Sequence, residues 1–257
     1  PYYFYRLEKT KYSSKIINVQ TEITNMHFHF VHNGPAEICS LYLHPKYRNS
    51  QNGRFLSLSR FLFIAENRKY FEDQVIAEMR GMVNDSGHSP FWDAVGKNFF
   101  QIDFPTADYL SVKNKKFIEE LMPKTPIIAN LLPQDAQFVI GKVHPNTEPA
   151  KHILEQEGFK FSGLVGMFEP GPVLIADIDN IRAIRESVVG VIEEIADKQE
   201  VTDIKVISST DEDNFRSCLG GVEVLPSGGL KISDVTAAGL KLRKGDKIRF
   251  VSFKPKK

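Results

Sequence analysis

Cysteine is scarce in this chain, long apolar runs are missing, and neither sign of charge dominates. Each shortage removes a class of function. Two cysteines, Cys39 and Cys218, in 257 residues make neither a disulfide framework nor a zinc cluster, and they point to a reducing compartment, the cytoplasm. No run approaches the roughly 18 apolar residues of a membrane span, and no signal peptide is visible. With 33 basic and 32 acidic residues the net charge is +1, too little for a protein that holds nucleic acid mainly by neutralising phosphate. Metal ligands are thin as well. His27, His29 and His32 in MHFHFVH have metal-like spacing, but no carboxylate or cysteine cluster joins them, so no metal site is expected. An initiator methionine is also missing: the chain starts at Pro1 in strand-like PYYFYRL and reads as a piece of a longer protein.

What is present suits a globular protein with a sizeable core: 42% hydrophobic, 25% charged and 11% aromatic residues, in one large or two small domains. Residues 1–43 read as strands with a turn at HNGP (32–35). In EICSLYL (37–43) alternation puts Cys39, Leu41 and Leu43 on one face. The period then changes: Phe55, Leu58, Leu62 and Ala65 fall at helical spacing, predicting a helix that ends near Tyr70. QVIAEMRGMV (74–83) reads as a strand, SPFWDAVGKNFF (89–100) as a short helix followed by a strand-like piece, and KKFIEELMPK (115–124) as a helix stopped by Pro123. LPQDAQFVIGKV is helical up to Gly141. In VHPNTEPAKHILEQEGF, Asn146 or Thr147 caps a helix, Pro149 sits in its first turn and Gly158 closes it. Strands follow near 159–178. IRAIRESVVGVIEEIADKQE reads as a charged helix, and the chain beyond 201 as short strands with Gly-rich turns. The expectation is an α/β (α+β) fold: a mixed sheet with flanking helices over 1–185, a helical linker at 186–200, and a small β-rich module at 201–257.

The stretch LYLHPKYRNSQNGRFLSLSRF (41–61) carries chemistry. An apolar strand ending in a polar, glycine-containing loop that feeds a helix builds an anion site from free N–H groups and the helix dipole. The loop adds Lys46, Arg48 and Arg54, and Gly53 allows close backbone approach. A capped helix after a surface loop is the competing reading. No GxxxxGK[ST] or strand-following GxGxxG is present. The spacing from Arg48 to Gly53 resembles the pyrophosphate loop of the GCN5-related N-acyltransferases, Arg/Gln-x-x-Gly-x-Gly/Ala, with Gln51 in place of the first glycine.

HPKYR, NGRFLSLSRFLFIAE, VIAEMRG, SPFWDAVGKNFF, ADYL, KKFIEELMPKTPI and VIGKVHPNTEPAKHILEQEGF occur in this order. Together they resemble the bacterial arginine N-succinyltransferases over about residues 30–185. The resemblance implies an acyl-CoA N-acyltransferase-like sheet, with a further N-terminal segment in family members. It also implies attack of the α-amine of L-arginine on succinyl-CoA, giving N2-succinylarginine and CoA in arginine degradation. No tightly bound cofactor is implied, the partners are small-molecule substrates, and members assemble as homo- or hetero-oligomers. It carries the family's acyl-CoA contact over to Leu41, whose N–H becomes the expected oxyanion donor; joined to the anion loop, this makes Leu41, Leu43, Arg48, Asn52, Gly53 and Arg54 the expected acyl-CoA contacts. His144, in GKVHPNTEPA, becomes the proton donor to the departing thiolate. Without the resemblance, Leu41 reads as a core strand residue and His144 as a loop histidine beside a helix N-terminus.

His32 and Gly34 line up with a family segment Asn-Asp-His-x-Gly, but Phe30 and Val31 stand where Asn-Asp belongs. Another amine such as ornithine or another acyl-CoA therefore stays open, and the N-terminal segment expected in family members but not in this sequence leaves a non-catalytic CoA-binding subunit open as well. Glu37 and the pair Glu78/Arg80 suit the guanidinium and carboxylate of such a substrate; a cross-strand ion pair competes with that reading. Cys39 raises an acyl-cysteine intermediate, but mid-strand it reads as core, and direct transfer is expected.

Overall fold

Two segments rich in aromatic and β-branched residues, β1 (Tyr2–Ser14) and β2 (Val19–Val31), pair antiparallel from Tyr2 opposite Val31 to Ser14 opposite Val19. At their inner ends Tyr3, Tyr5 and Met26 are buried on one face and Phe4 on the other, so the sheet is covered on both sides there. In the computed structural model, which describes residues 2–49, 51–84, 87–197 and 200–255, five more strands join this hairpin. They are β3 (Ala36–Glu37), β4 (Gln74–Glu78), β5 (Ile127–Ile128), β6 (Lys160–Gly166) and β7 (Pro172–Asp177). The sheet order is β3-β4-β7-β6-β1-β2-β5. The β1–β2, β1–β6, β2–β5 and β6–β7 pairs are antiparallel.

The chain divides into two units, one made of Pro1–Cys39, Ile76–Lys151 and Lys160–Ile175, the other of Ser40–Val75, His152–Phe159 and Ala176–Lys257. Helices enter as α1 (Asn52–Glu66), α2 (Lys97–Phe100), α3 (Phe104–Lys113), α4 (Lys116–Leu121), α5 (Gln134–Val139), α6 (Glu148–Gln156) and α7 (Arg182–Arg185). In the first unit, Tyr5, Met26, Phe91, Trp92, Phe100 and Val165 form the heart of one apolar cluster. Trp92 stacks on Phe100 with ring centroids 5.3 Å apart and donates its indole N–H to the Ile102 carbonyl at 3.1 Å. This packing corrects the strand expected at KNFF. A π-helical turn at Trp92–Gly96 runs straight into α2, which puts Phe91, Trp92, Val95 and Phe100 into the cluster together.

The strand expected over 37–43 also stops early. β3 ends at Glu37, and Ser40 adopts a left-handed backbone, φ +53°, which breaks an extended run. Cys39 is exposed rather than core, and Leu41 is 41% exposed.

The second unit holds α1, whose Leu58, Phe61, Leu62 and Ile64 are buried, and a closed barrel. Its strands are β8 (Val188–Ala196), β9 (Ile204–Ser209), β10 (Ser217–Val224), β11 (Leu230–Ser233) and β12 (Lys247–Ser252), ordered β10-β11-β8-β12-β9. The helical linker expected at 186–200 is thus corrected: α7 ends at Arg185 and VVGVIEEIA is a barrel strand, parallel to β11 and antiparallel to β12. Its β-branched residues favour the extended state. Gly190 lets the Leu230 side chain lie where a Cβ would sit 2.6 Å from it. A helix, α8 (Asp234–Leu240), also interrupts the module expected to be strands and turns; the Ser233 hydroxyl caps it by accepting from the Thr236 N–H.

Candidate active site

The first unit contains a cavity of about 520 Å³ whose walls carry Glu37, Glu78, Arg80, Asp108, Lys115 and Glu169 among Tyr2, Tyr3, Phe4, Phe104, Met167 and Phe168. Four carboxylates thus face two cations inside an aromatic shell. β3 supplies Glu37, and β4 supplies Glu78, with Arg80 two residues on and therefore on the same face. Asp108 comes from α3, Lys115 from the α3–α4 junction, and Glu169 from the β6–β7 turn.

The carboxyl groups titrate unusually. Glu78 stays open to the cavity's solvent, yet the surrounding protein withdraws enough water to push its carboxyl up to about 7, with Glu37 adding to the rise and Lys115 opposing it. Glu169 is also pushed up to about 7 by burial, against the pull of Arg80 and a hydrogen bond from the Gly81 N–H. Burial raises Glu37 as well, with Lys115 opposing. Desolvation and like charges in one site act in the same direction on acids. Such a cluster favours a cationic guest.

His144 is docked beside this cavity through the backbone: its N–H donates to the Arg80 carbonyl at 2.8 Å. Its Nδ1 accepts from the Asn146 N–H at 3.1 Å, capping the turn Pro145–Thr147. With Nδ1 held as an acceptor, the neutral ring carries its proton on Nε2. His32 lies outside the acidic cavity, exposed on an adjoining hollow lined by Phe30, Lys113 and Lys116. His27 meets Glu8 at 3.1 Å. Among the described residues no three His, Cys, Asp or Glu side chains gather to hold a metal.

The loop at 44–54 belongs to the second unit. His44 caps the turn Pro45–Tyr47, the Arg48 Nε donates to the Leu43 carbonyl at 3.0 Å, and the Asn52 side-chain amide donates to the Tyr47 carbonyl at 2.9 Å. The side chain of Asn49 accepts from the N–H groups of Gln51 and Asn52. Space over Gly53 is open, since a Cβ built there meets nothing within 4 Å. Arg54 departs from the expected cationic set. Its guanidinium is turned inward to Glu157 (3.0 Å), Gln156 and the Phe253 carbonyl (2.7 Å), which leaves its backbone as what it can offer an anion.

A family model described as arginine N-succinyltransferase beta subunit matches residues 1–183. An arginine N-succinyltransferase of Yersinia pseudotuberculosis serotype O:3 is 39% identical over 98% of this chain and 74% of its own length. The chain belongs to the arginine N-succinyltransferase family. A relative of the same name from Escherichia coli O6:H1 is 47% identical over 73% of the chain and 55% of its own length. The solved structure of arginine/ornithine succinyltransferase subunit AI from Pseudomonas aeruginosa superposes with a TM-score of 0.83 at 28% identity, covering 99% of this chain and 74% of that one.

Of the residues that the arginine N-succinyltransferase resemblance and the charge pattern single out, the structure gathers Glu37, Glu78 and Arg80 in one cavity. It docks His144 against the backbone of Arg80 and leaves His32 apart. Leu41 lies in an exposed segment outside any strand, just after the left-handed Ser40. Sequence reasoning missed Glu169, Asp108 and Lys115. Glu169 had one signal, a carboxylate inside the apolar tight turn GMFEPGP, where a charged group needs a reason to stay.

Proposed function

We propose that this chain transfers the succinyl group of succinyl-CoA to the α-amine of L-arginine, releasing N2-succinylarginine and CoA. The carrying observation is the charge of the cavity: Glu37, Glu78, Asp108 and Glu169 suit a guanidinium, while Arg80 and Lys115 suit an α-carboxylate. The α-ammonium loses one proton to become a nucleophile. Its nitrogen then bonds to the thioester carbon, and the C–S bond breaks. The new amide nitrogen sheds its extra proton and the CoA thiolate gains one, so one proton is released overall. An α-amine with a pKa near ~8 reaches the neutral form easily, so a strong base is not needed. His144 protonates the departing thiolate as an imidazolium, a form in which Nδ1 also carries a proton and gives up the hydrogen bond it accepts here from the Asn146 N–H. The CoA pyrophosphate sits on the loop at Arg48, Asn52 and Gly53, with Leu43 beside it and the Leu41 N–H at the thioester oxygen. Succinyl-CoA acts as a co-substrate rather than a resident cofactor, and free Cys39 and Cys218 fit a reducing cytoplasm.

Mass spectrometry of arginine incubated with succinyl-CoA and the protein tests the reading, with thiol release as the rate assay. Succinylarginine and arginine-dependent thiol release are expected. His144→Ala should lower turnover about a hundredfold while CoA affinity stays put. Thiol release indifferent to arginine would sink the assignment.

We place the subunit contact on the tip of the β1–β2 hairpin. The barrel closes on itself, so among the described residues its five strands present no free edge to a partner. Between Tyr12 and Thr21 the hairpin strands pair only with each other among the described residues. Ile16 and Ile17 at the tip are 96% and 69% exposed. A two-stranded ribbon is marginal in water, and exposed apolar tips seek cover. Ile16→Ser with Ile17→Ser should lower the assembled mass in sedimentation; an unchanged mass would remove the tip from the interface.

A further inference from the structure

Glu169 occupies the turn between β6 and β7, where its carboxylate accepts from the N–H of Gly81, the residue after Arg80. The backbone around it is drawn unusually tight. A Cβ on Gly166 would lie 2.7 Å from Glu78 Oε1 and 2.8 Å from the Glu169 carbonyl. On Gly171 it would collide with the Met79 carbonyl. Gly166 donates to the Gly171 carbonyl at 2.9 Å, and Met79 donates to the Pro172 carbonyl at 3.0 Å. Glycines thus let the segment carrying Glu78 press against the turn carrying Glu169, close enough for the Glu78 charge to raise the Glu169 carboxyl. Two like charges held together by backbone are unfavourable alone and become favourable once a cation lies between them.

We propose that Glu169 is a specificity-determining residue: with Glu78 it forms a paired-carboxylate seat for the cationic end of an amino-acid substrate. The inference rests on the reading of this cavity as the arginine site. A planar guanidinium offers donors on two edges and so can satisfy two carboxylates at once. Glu37 from β3, Arg80 after β4, Asp108 from α3, Lys115 beyond α3, and Tyr2 and Tyr3 from β1 complete the surroundings. Arg80 and Lys115 are then left for the opposite, carboxylate end. Because both seat carboxyls are raised to about 7, the incoming cation displaces a proton. Arginine therefore binds better as pH rises through that value.

Steady-state kinetics on the full chain test this, varying arginine and succinyl-CoA separately between about pH 6 and pH 8. Glu169→Gln should raise the KM for arginine about tenfold or more with the KM for succinyl-CoA unchanged, and should flatten the fall of the arginine KM with pH. Glu169→Asp, which keeps the charge, should recover part of the loss, and it carries the test if the glutamine variant does not fold. An unchanged arginine KM, both KM values rising together, or an aspartate variant no better than the glutamine one would overturn the proposal. Wild-type protein that releases no thiol with arginine would instead overturn the functional reading. Calorimetry of arginine binding to wild type and Glu169→Gln would then judge the seat: a tenfold weakening supports it, and equal or absent binding removes it.

Discussion

Glu157 has no exposed surface, yet it carries the charge that holds α1, α7 and the end of the barrel's last strand in register. Its two oxygens accept from Arg182 Nε at 3.1 and 3.2 Å, from Arg182 Nη2 at 2.8 Å, from the Ala183 N–H at 3.0 Å and from Arg54 Nη2 at 3.0 Å. The same arginines reach onward, Arg182 to the Ser252 carbonyl at 3.0 Å and Arg54 to the Phe253 carbonyl at 2.7 Å. Their side chains are only 6% and 10% exposed, so water cannot take over if the carboxylate is lost. Glu157→Gln keeps the shape, removes the charge and turns an N–H pair toward guanidinium donors. Removing one partner from a buried ion pair costs about 3–5 kcal/mol. At roughly 2–4 °C per kcal/mol for a chain this long, a loss of about 4 kcal/mol lowers Tm by some 8–16 °C. Scanning calorimetry at pH 7, supported by urea midpoints, reads this directly. Replacing Arg54, Glu157 and Arg182 together by apolar residues of similar size should cost much less, because no charge is then stranded. A Glu157→Gln loss below about 1 kcal/mol, or a triple variant as unstable as the single one, would refute the reasoning.

Glu78 makes a prediction of opposite sign. Its folded pKa, about 7, lies above the ordinary carboxylate value, so its stabilising contribution is present at low pH and is lost as pH rises toward 7. Glu78→Gln abolishes that loss. The variant's denaturation midpoint should gain on wild type between about pH 5 and pH 7 and level off above. A difference independent of pH would show that Glu78 is not strained in the folded protein.

Local chemistry made some of this architecture legible in the sequence. The α6 helix was readable because Pro149 and Gly158 mark its ends, and α1 because its apolar residues recur every three to four positions. Other features depend on distant partners. VVGVIEEIA has enough charge and enough apolar spacing to pass for a helix; its β-branched residues lean the other way, and the place between β11 and β12 settles it as a strand. KNFF turns helical because Phe100 must stack on Trp92. Glu78 and Arg80 were recognisable as a same-face pair, but Glu169 enters the cavity from a turn some ninety residues later, a juxtaposition that period counting cannot deliver. Arg54 was misjudged for a similar reason: beside a glycine at a helix start it reads as an anion ligand, and nothing nearby in sequence announces Glu157.

The position of β8 in the barrel also sets where this chain can be recombined. β8 lies between β11 and β12, and the family model ends at residue 183, just upstream. A crossover at residue 200, where composition changes, would bring in four staves without the one that joins β11 to β12. Two raw edges would remain, ready to pair with neighbouring molecules. A crossover between Arg185 and Val188 would carry the barrel whole. Inheritance of the C-terminal module as a cassette is therefore confined to a junction of a few residues, placed ahead of the visible change in sequence texture.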